Sequence, residues 1–172
     1  VKLQSMLRAK ISDRRILRLI DILTTALIRE GKVDSRNKQG CRQGSILSPT
    51  LANIYLHHVI DEWFATIKTT PFRGRAELIR YADDMVFTFE SQQEAERCYA
   101  VLPKRLTQYG LEMHTDKSQR LPAGRVAALQ ARQNGYRLPM FNCLGCTCYW
   151  RKTCKGFWRL KYTSRKDRFA AE

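Results

Sequence analysis

Two apolar runs of strand length, separated by a pair of acids, form the clearest pattern in this chain. Residues 78–82 and 85–89 are rich in aliphatic and aromatic side chains, and Asp83 and Asp84 stand between them. A connection of two residues requires the strands to pair antiparallel. It also places both carboxylates at the turn and not among the apolar residues of the paired strands, where burial of an uncompensated charge costs free energy. The pattern predicts a β-hairpin with both acids at its turn.

An acid pair at a turn has two explanations. Asp is common in turns because its side chain caps nearby backbone groups. Two adjacent like charges repel each other, however, unless a cation holds them, and the pair lacks the Gly or Asn that a tight turn prefers. On the residues alone, a metal-binding turn and a solvated turn are both open interpretations of Asp83 and Asp84.

Periodic apolar positions predict two helices ahead of the hairpin. Residues 12–31 have Ile and Leu at spacings of three and four, with a serine at the start and a glycine at the end. Ser48 and Pro49 suit an N-cap and a first helical position, and the apolar spacing continues to about residue 65. The polar, glycine-containing stretch 32–43 between the two helices predicts a loop or an irregular edge hairpin.

After the hairpin, the sequence pattern predicts a long helix followed mainly by strands and loops. Residues 91–94 have the sequence of a capping box and open a helix that ends at Gly110, and Pro103 inside it predicts a kink or an early break. Residues 111–114 predict a short strand, and residues 122–139 predict a loop with at most a short helical turn. Two further strand-like runs follow, at 141–150 and 157–162.

Together these elements predict an α+β fold. We expect an antiparallel sheet centred on the Asp83–Asp84 hairpin, with one face packed on the helices that begin near residues 12, 48 and 91 and the other face open. With 172 residues, the chain is long enough for one ordinary domain with a hydrophobic core.

The charge of the chain narrows the choice of partner. Lys and Arg number 31 against 16 Asp and Glu, a formal net charge of +15, which favours nucleic acid first and an anionic membrane second. No apolar run approaches the roughly 20 residues that a spanning helix needs, so we expect no membrane partner. Basic residues gather around the first helix and in a basic C-terminal segment, residues 151–172, where eight Lys or Arg outnumber two acids. Each group is either a phosphate-binding surface or a solvated face.

Six cysteines raise the question of disulfides or zinc. The start of the chain shows no signal-peptide pattern and the cysteine spacing is irregular, which favours reduced thiols in a cytoplasmic setting, bacterial or organellar, over secretion. Cys143, Cys146 and Cys148 crowd into one strand-like run, whereas structural zinc sites usually draw their ligands as two separated pairs. On a single strand, Cys146 and Cys148 face one side and Cys143 faces the other. A zinc-dependent interaction module is therefore the weaker alternative.

Two motifs resemble those of a known family. Tyr81-Ala82-Asp83-Asp84 resembles the aromatic-Ala-Asp-Asp signature of reverse transcriptases, and residues 43–56, from Gln-Gly-Ser to Asn-Ile-Tyr-Leu, resemble the motif that precedes it. The Ser-Pro-x-Leu-Ala-Asn-Ile-Tyr-Leu wording is similar to the group II intron-encoded branch, the reverse transcriptase/maturases, although retron and diversity-generating enzymes share the motifs. The resemblance implies a palm-like α+β domain that copies an RNA template onto a DNA primer from dNTPs, with Mg²⁺ as cofactor and intron RNA as a further partner.

The same resemblance implies three catalytic residues. Asp83 corresponds to the direct metal ligand, and Asp84 supports the same ions or their water shell. Two divalent ions activate the primer hydroxyl and stabilise the departing pyrophosphate in such enzymes. Lys117 occupies the position of a lysine that neutralises or protonates the pyrophosphate. An exposed lysine in a turn is the alternative interpretation of Lys117.

Nucleic-acid and nucleotide contacts follow from the resemblance as well. Gln43 and Gly44 are implied to touch the template or the incoming nucleotide. Tyr81 and Ala82 are implied to flank the primer terminus and the new base pair. Arg80 is open between a phosphate contact and a simple cross-strand charge.

The chain departs from the family pattern in two respects. No match is found for the strand motif that carries the family's first metal carboxylate, which precedes Gln43. Asn142, Cys143 and Cys146 replace an Asp and two aromatics of the family's Phe-x-Phe-Leu-Gly-Phe element. We therefore expect residues 1–172 to be a partial reverse transcriptase domain, a palm without the upstream fingers and first catalytic motif or the downstream thumb and maturase region, and inactive alone. The alternative function is an RNA-binding maturase remnant that assists splicing without polymerising.

Overall fold

The structure, a computed structural model, describes residues 2–25, 28–30, 33–35, 46–69 and 74–165. The helices in this part are α1 (Lys2–Lys10), α2 (Arg14–Thr25), α3 (Ser48–Leu56), α4 (Glu62–Thr69), α5 (Gln92–Gln108) and α6 (Gly124–Gln133). A π-helical segment, His57–Asp61, joins α3 to α4. The strands are β1 (Ile28–Glu30), β2 (Val33–Ser35), β3 (Ala76–Tyr81), β4 (Asp84–Phe89), β5 (Phe141–Cys143), β6 (Cys146–Lys152) and β7 (Trp158–Ser164). None of the helices described has the length and apolar composition needed to cross a membrane.

The strands pair antiparallel throughout the described part of the chain. β1 pairs with β2, β3 pairs with β4, and β5, β6 and β7 form a three-stranded sheet in that order. The chain divides into two compact units, Val1–Met113 and His114–Glu172, each with its own strands. The predicted α+β fold with antiparallel sheets, of the palm-like kind, is confirmed, although the strands form separate small sheets.

One face of the β3–β4 hairpin is packed on helices. The strands are in register, with Tyr81 opposite Asp84 at the turn, so alternate residues along each strand share a face. Leu78 and Phe87 lie on the packed face, and the Phe87 ring meets the Phe64 ring of α4 edge to face with centroids 5.3 Å apart. The buried members of this core are Val59, Ile60, Phe64, Ala76, Cys98, Leu102 and Leu106.

The other face of the hairpin is open, as the pattern predicts. Ile79 and Tyr81 alternate with the packed residues and are 63% and 69% exposed. The hairpin therefore has one packed face and one open face.

Helix α5 confirms the predicted long helix after the hairpin. It buries Cys98, Leu102 and Leu106 at spacings of four, which places them on one side of the helix. Ser91 occupies the N-cap without a side-chain capping hydrogen bond, and Pro103 does not end the helix. Packing on both sides of Pro103 outweighs its cost in helix propensity, because tertiary contacts override propensity.

The helix predicted at 12–31 begins later and ends earlier in the structure. Its N-cap is Asp13 instead of a serine, since the Asp13 carboxylate accepts a hydrogen bond of 2.7 Å from the backbone N–H of Arg15. It ends at Thr25, and Ile28–Glu30 then pair with Val33–Ser35. No residue of α2 is buried, and the core beside the hairpin instead includes Met6 of α1. The prediction that the helix near residue 12 covers the sheet is therefore wrong.

The second predicted helix begins at Ser48 with Leu47 in the cap position, and Pro49 follows in the first turn. Ser48 is therefore the first helical residue and not the N-cap. The predicted continuation to about residue 65 is observed to Thr69, with the π-helical segment inside it.

Two predictions for the part of the chain after α5 are wrong. Residues 111–114 form no strand, and residues 122–139, predicted as a loop, contain the ten-residue helix α6. Gly124 and Gly135, with φ of +96° and +77°, lie at the two ends of this helix, where glycine marks helix boundaries. The alanines between them favour a helix strongly.

The strand-like run at 141–150 forms a hairpin in the structure. β5 and β6 are joined by Leu144 and Gly145, both with positive φ, which is the pattern of a type I′ turn. Cys143 therefore lies opposite Cys146. The prediction that Cys143 faces away from Cys146 and Cys148 is wrong, because the turn reverses the chain between them.

The five cysteines of the described region are free thiols. Burial and the two neighbouring cysteines raise the pKa of the Cys148 thiol. In α5, burial raises the pKa of Cys98 to about 11, so this thiol is protonated and unreactive at neutral pH.

Candidate functional site

The turn of the β3–β4 hairpin carries the two adjacent acids. β3 ends at Tyr81 and β4 begins at Asp84, so the turn residues are Ala82 and Asp83. The predicted turn, Asp83–Asp84, is thus displaced by one residue. Ala82 has φ of +52°, a left-handed conformation that costs free energy in a residue with a Cβ.

This register separates the environments of the two acids. Asp83 projects from the turn itself, whereas Asp84 lies opposite Tyr81 on the open face of the hairpin. Both aspartates are exposed. Within the described part of the chain, neither carboxylate makes a hydrogen bond or an ion pair. Two neighbouring carboxylates without a cation repel each other, so the site favours a positively charged ligand.

Arg80 connects this turn to the helices behind it. Its Nε and one terminal nitrogen, Nη2, donate to the two carboxylate oxygens of Asp61, each at 2.7 Å. The other terminal nitrogen, Nη1, donates to the Asn53 side-chain oxygen at 2.8 Å and to the Ala82 carbonyl at 3.0 Å. The Arg80 side chain is 12% exposed. One guanidinium therefore fixes the turn carbonyl against α3 and the π-helical segment.

The ion pair shifts the pKa of both partners. The hydrogen bonds from Arg80 lower the pKa of Asp61, although its partial burial acts in the opposite direction. The same hydrogen bonds raise the pKa of Arg80. A forked guanidinium–carboxylate pair of this kind fixes orientation as well as charge.

The π-helical segment presents Asp61 to Arg80. Val59 and Ile60 within it are fully buried, while Asp61 lies at the strand side and also contacts His57 Nδ1 at 3.1 Å. The Arg105 Nε of α5 donates to the Val59 carbonyl at 3.0 Å. The wider π turn leaves backbone carbonyls in need of partners, and Arg105 supplies one.

Asn53 and Asp61 are site residues that the sequence interpretation missed. Apolar spacing places Asp61 within the helix predicted from residue 48 but indicates no partner for it. A signal existed in the strand alternation, because Leu78 and Arg80 share the packed face and a charge directed inward needs an acid partner. The residue opposite Arg80 on β4 is Met85. Because Met85 carries no charge, the interpretation of Arg80 as a simple cross-strand charge is wrong. A phosphate contact by Arg80 stays a prediction.

The structure brings some of the predicted site residues together and leaves others apart. Arg80, Tyr81, Ala82, Asp83 and Asp84 all lie on the one hairpin. The predicted template or nucleotide contacts at 43 and 44 lie outside the described residues.

Lys117 belongs to the second unit. It is exposed at the end of a turn, where its backbone N–H donates to the His114 carbonyl at 3.2 Å. Its proposed action on pyrophosphate stays a prediction.

Comparison with known proteins assigns this chain to a protein family. A family model described as "Reverse transcriptase (RNA-dependent DNA polymerase)" matches residues 3–148. The chain belongs to the reverse transcriptase family. The matched span includes the Tyr81–Asp84 motif, together with the helices that fix it.

One curated relative of this reverse transcriptase-family chain is an uncharacterized 91 kDa protein in the cob intron of Schizosaccharomyces pombe. It is 41% identical over 69 residues, which are 40% of this chain. The aligned part is 8% of that protein's length.

A divalent metal is implied by the family, and the hairpin residues fit one. Mg²⁺ prefers oxygen ligands, and one or two protein carboxylates suffice because waters and substrate phosphates complete its shell. Asp83 and Asp84 supply adjacent, exposed carboxylates, and the nearby Arg80 charge is already paired with Asp61. The described residues contain no group of three or more His, Cys, Asp or Glu side chains suited to a metal ion, so the fit rests on these two acids.

Proposed function

We propose that this chain is the palm part of an RNA-directed DNA polymerase of the group II intron type, which joins dNTPs to a primer 3′ hydroxyl. One observation carries the proposal: Asp83 and Asp84 are exposed beside Tyr81 at the end of a hairpin whose other face is packed on helices. Catalytic carboxylates need such rigid support, because small displacements of reacting groups cost rate.

Each residue of the hairpin has a role in the proposed reaction. Asp83 and Asp84 would hold Mg²⁺, which would supply activation of the primer hydroxyl and neutralisation of the charge of the departing pyrophosphate. Tyr81 offers an exposed ring on the side of Asp84, where the terminal primer nucleotide packs. Arg80 positions the turn through the Ala82 carbonyl.

The intron assignment is supported by two observations. The Ser48–Leu56 helix has the Ser-Pro-x-Leu-Ala-Asn-Ile-Tyr-Leu wording that resembles the group II intron-encoded branch. The relative in the cob intron shows a related sequence within an intron-encoded protein. Intron RNA is therefore proposed as a partner beside the RNA template, the DNA primer and the dNTPs, with the protein acting in the cytoplasm or in an organelle.

RNA-templated primer extension tests the proposed function. The assay uses the protein from the longest reading frame that contains these 172 residues, with Mg²⁺ and labelled dNTPs. We expect incorporation by the wild type and its loss in Asp83→Asn and in Asp84→Asn, because neither amide supplies a charged metal ligand. Asp116→Asn, an exposed turn acid of the second unit, is the control and should incorporate normally.

Two results would contradict the proposal. Incorporation by Asp83→Asn at the wild-type rate would exclude Asp83 as the metal ligand. A wild type that binds intron RNA but incorporates no dNTP would assign the chain to the alternative function, a maturase that assists splicing without polymerising.

A further inference from the structure

The three-stranded sheet of the second unit has two chemically different faces. Across β6 and β7, Tyr149 lies opposite Lys161 and Arg151 lies opposite Arg159. Alternation places these four side chains on one side of the sheet. We call Tyr149, Arg151, Arg159 and Lys161 the basic sheet face.

Part of the opposite face of this sheet is packed on helix α6. Trp150 and Trp158 alternate with the residues of the basic sheet face and pack against Ala128 and Ala131 of α6. The basic sheet face therefore lies on the side away from α6. Its three cationic residues are exposed, and Tyr149 is half-buried.

Arg151 and Arg159 form an unfavourable pair. Like charges directly opposite each other on neighbouring strands destabilise a sheet. The sequence contains no Asp or Glu between Asp116 and Asp167, so this stretch of chain supplies no acid to offset them. The structure shows no ion pair from either arginine to another described residue. An external anion would relieve this repulsion.

We propose that the basic sheet face binds a single-stranded segment of RNA through its phosphates. Proteins that bind single strands combine a positive surface along the backbone with an aromatic side chain on which a base stacks. Arg159 and Lys161 are about 6.7 Å apart along β7, and Arg151 adds a third cation across the sheet. Tyr149 opposite Lys161 supplies the aromatic ring.

Other features of the basic sheet face favour RNA over a membrane surface. Asn142 and Thr147 lie on the same face and are hydrogen-bonded to each other at 2.8 Å, so the surroundings of the arginines are polar. A membrane-binding surface needs several apolar side chains to insert beside its cations, whereas Tyr149 is the one aromatic or aliphatic side chain among the paired residues of this face. The choice of RNA rests on the proposed function, since a reverse transcriptase handles RNA.

The test is RNA binding by two double variants of equal net charge in the 172-residue chain. Arg151→Gln with Arg159→Gln removes the opposed pair. Lys152→Gln with Lys155→Gln is the matched control, because Lys152 lies on the other face and Lys155 lies in the β6–β7 turn. The probe is a fluorescent single-stranded RNA of about 12 nucleotides, followed by anisotropy at several salt concentrations.

We expect the arginine double variant to bind RNA about tenfold more weakly than the wild type at low salt. A plot of log affinity against log salt should also be less steep for this variant, by about 1.4 in slope, because two phosphate contacts with a single strand are lost. The control should bind nearly as the wild type does. Without RNA, the arginine variant should melt at the same temperature as the wild type or higher, because it removes a repulsion.

Three results would overturn the proposal. Equal losses in both variants would show that affinity follows net charge alone, and a lower melting temperature of the arginine variant would give the pair a structural role. A larger loss on a DNA strand or on anionic vesicles than on RNA would assign the surface to another polyanion. The binding assay contains no primer, dNTP or Mg²⁺, so a failure of the polymerase proposal in primer extension is distinguishable from a failure of this one.

Discussion

Arg80 shows how a single side chain connects the candidate site to the core. Strand alternation directs it towards the helices, where Asp61 accepts from it at both oxygens and Asn53 accepts at a third position. Removing one partner of such a pair leaves a charge without compensation. Arg80 also donates a hydrogen bond to the Ala82 carbonyl. Loss of the Arg80–Asp61 pair therefore also removes support from the turn that carries Asp83.

Replacing Asp61 tests the energetic role of this pair. Asp61→Asn should lower the free energy of unfolding at neutral pH by about 2 kcal/mol, the order expected for lost charged hydrogen bonds. The folded-state pKa of Asp61 is depressed, so the pair's contribution is present above the ordinary carboxyl pKa of about 4 and is lost as the pH falls through the depressed value. The variant should therefore lose less stability than the wild type on acidification.

Urea unfolding between neutral pH and about pH 2 measures this difference. Asp116→Asn, at an exposed turn position, is the control and should keep the acid dependence of the wild type. An unchanged acid dependence in Asp61→Asn would show that the pair contributes nothing to folding.

The hairpin turns are the elements in which backbone conformation limits the sequence most. Ala82 and Leu144 both have positive φ in two-residue connections, at +52° and +50°. An L-residue in this region costs about 1–2 kcal/mol, whereas glycine adopts it without strain. An alanine next to the candidate metal ligand thus keeps a strained conformation, as is frequent at functional sites.

Glycine at these two positions should relieve the strain. Ala82→Gly and Leu144→Gly should each be neutral or raise the free energy of unfolding by up to about 1 kcal/mol, because the relief exceeds the entropy that glycine adds to the unfolded chain. Chemical denaturation of the two variants provides the measurement. A clear destabilisation by Ala82→Gly would mean that the Ala82 methyl group makes a contact worth more than the strain.

The joined helices α3 and α4 anchor the hairpin through the π-helical segment between them. Ile60 within that segment is fully buried, whereas Ile79 on the open face of β3 is 63% exposed. Ile60→Ala should lower the free energy of unfolding by about 2–5 kcal/mol through lost burial and an unfilled cavity. Ile79→Ala removes the same atoms and should change it by less than about 0.5 kcal/mol. Similar losses in both variants, measured by denaturation, would contradict the assignment of one packed and one open face.

For the whole molecule, charge is the dominant property. A formal net charge of +15 on 172 residues repels itself in the folded state and attracts polyanions. Salt should therefore act in opposite directions on stability and on binding. It screens the internal repulsion, and it also weakens phosphate contacts through the counterion effect.

Raising NaCl from low to physiological concentration should raise the melting temperature by roughly a few degrees and should weaken RNA binding steeply. Scanning calorimetry and anisotropy on the same preparation measure both effects. A sulfate salt at equal ionic strength controls for specific ion effects. A melting temperature that falls with salt would mean that attractive surface pairs outweigh the net repulsion.

The sequence by itself determined the features that depend on neighbours along the chain. Alternation and a two-residue connection predicted the β3–β4 hairpin, and apolar spacing predicted α5. The aromatic-Ala-Asp-Asp motif and the motif at residues 43–56 together indicated the reverse transcriptase family, since each is a contiguous run of residues. Glycines at the ends of α6 were mistaken for signs of a loop because local signals do not show which side of a glycine is helical.

The tertiary structure alone decided the features that depend on residues meeting across elements. The bonds of Arg80 with Asp61 and Asn53 join a strand to two helical segments, and the register of β6 with β7 sets Arg151 against Arg159. Spacing along the chain carries no information about such pairs, because it is packing that selects which of many distant side chains become neighbours. The burial and charge compensation of Arg80 follow from that selection.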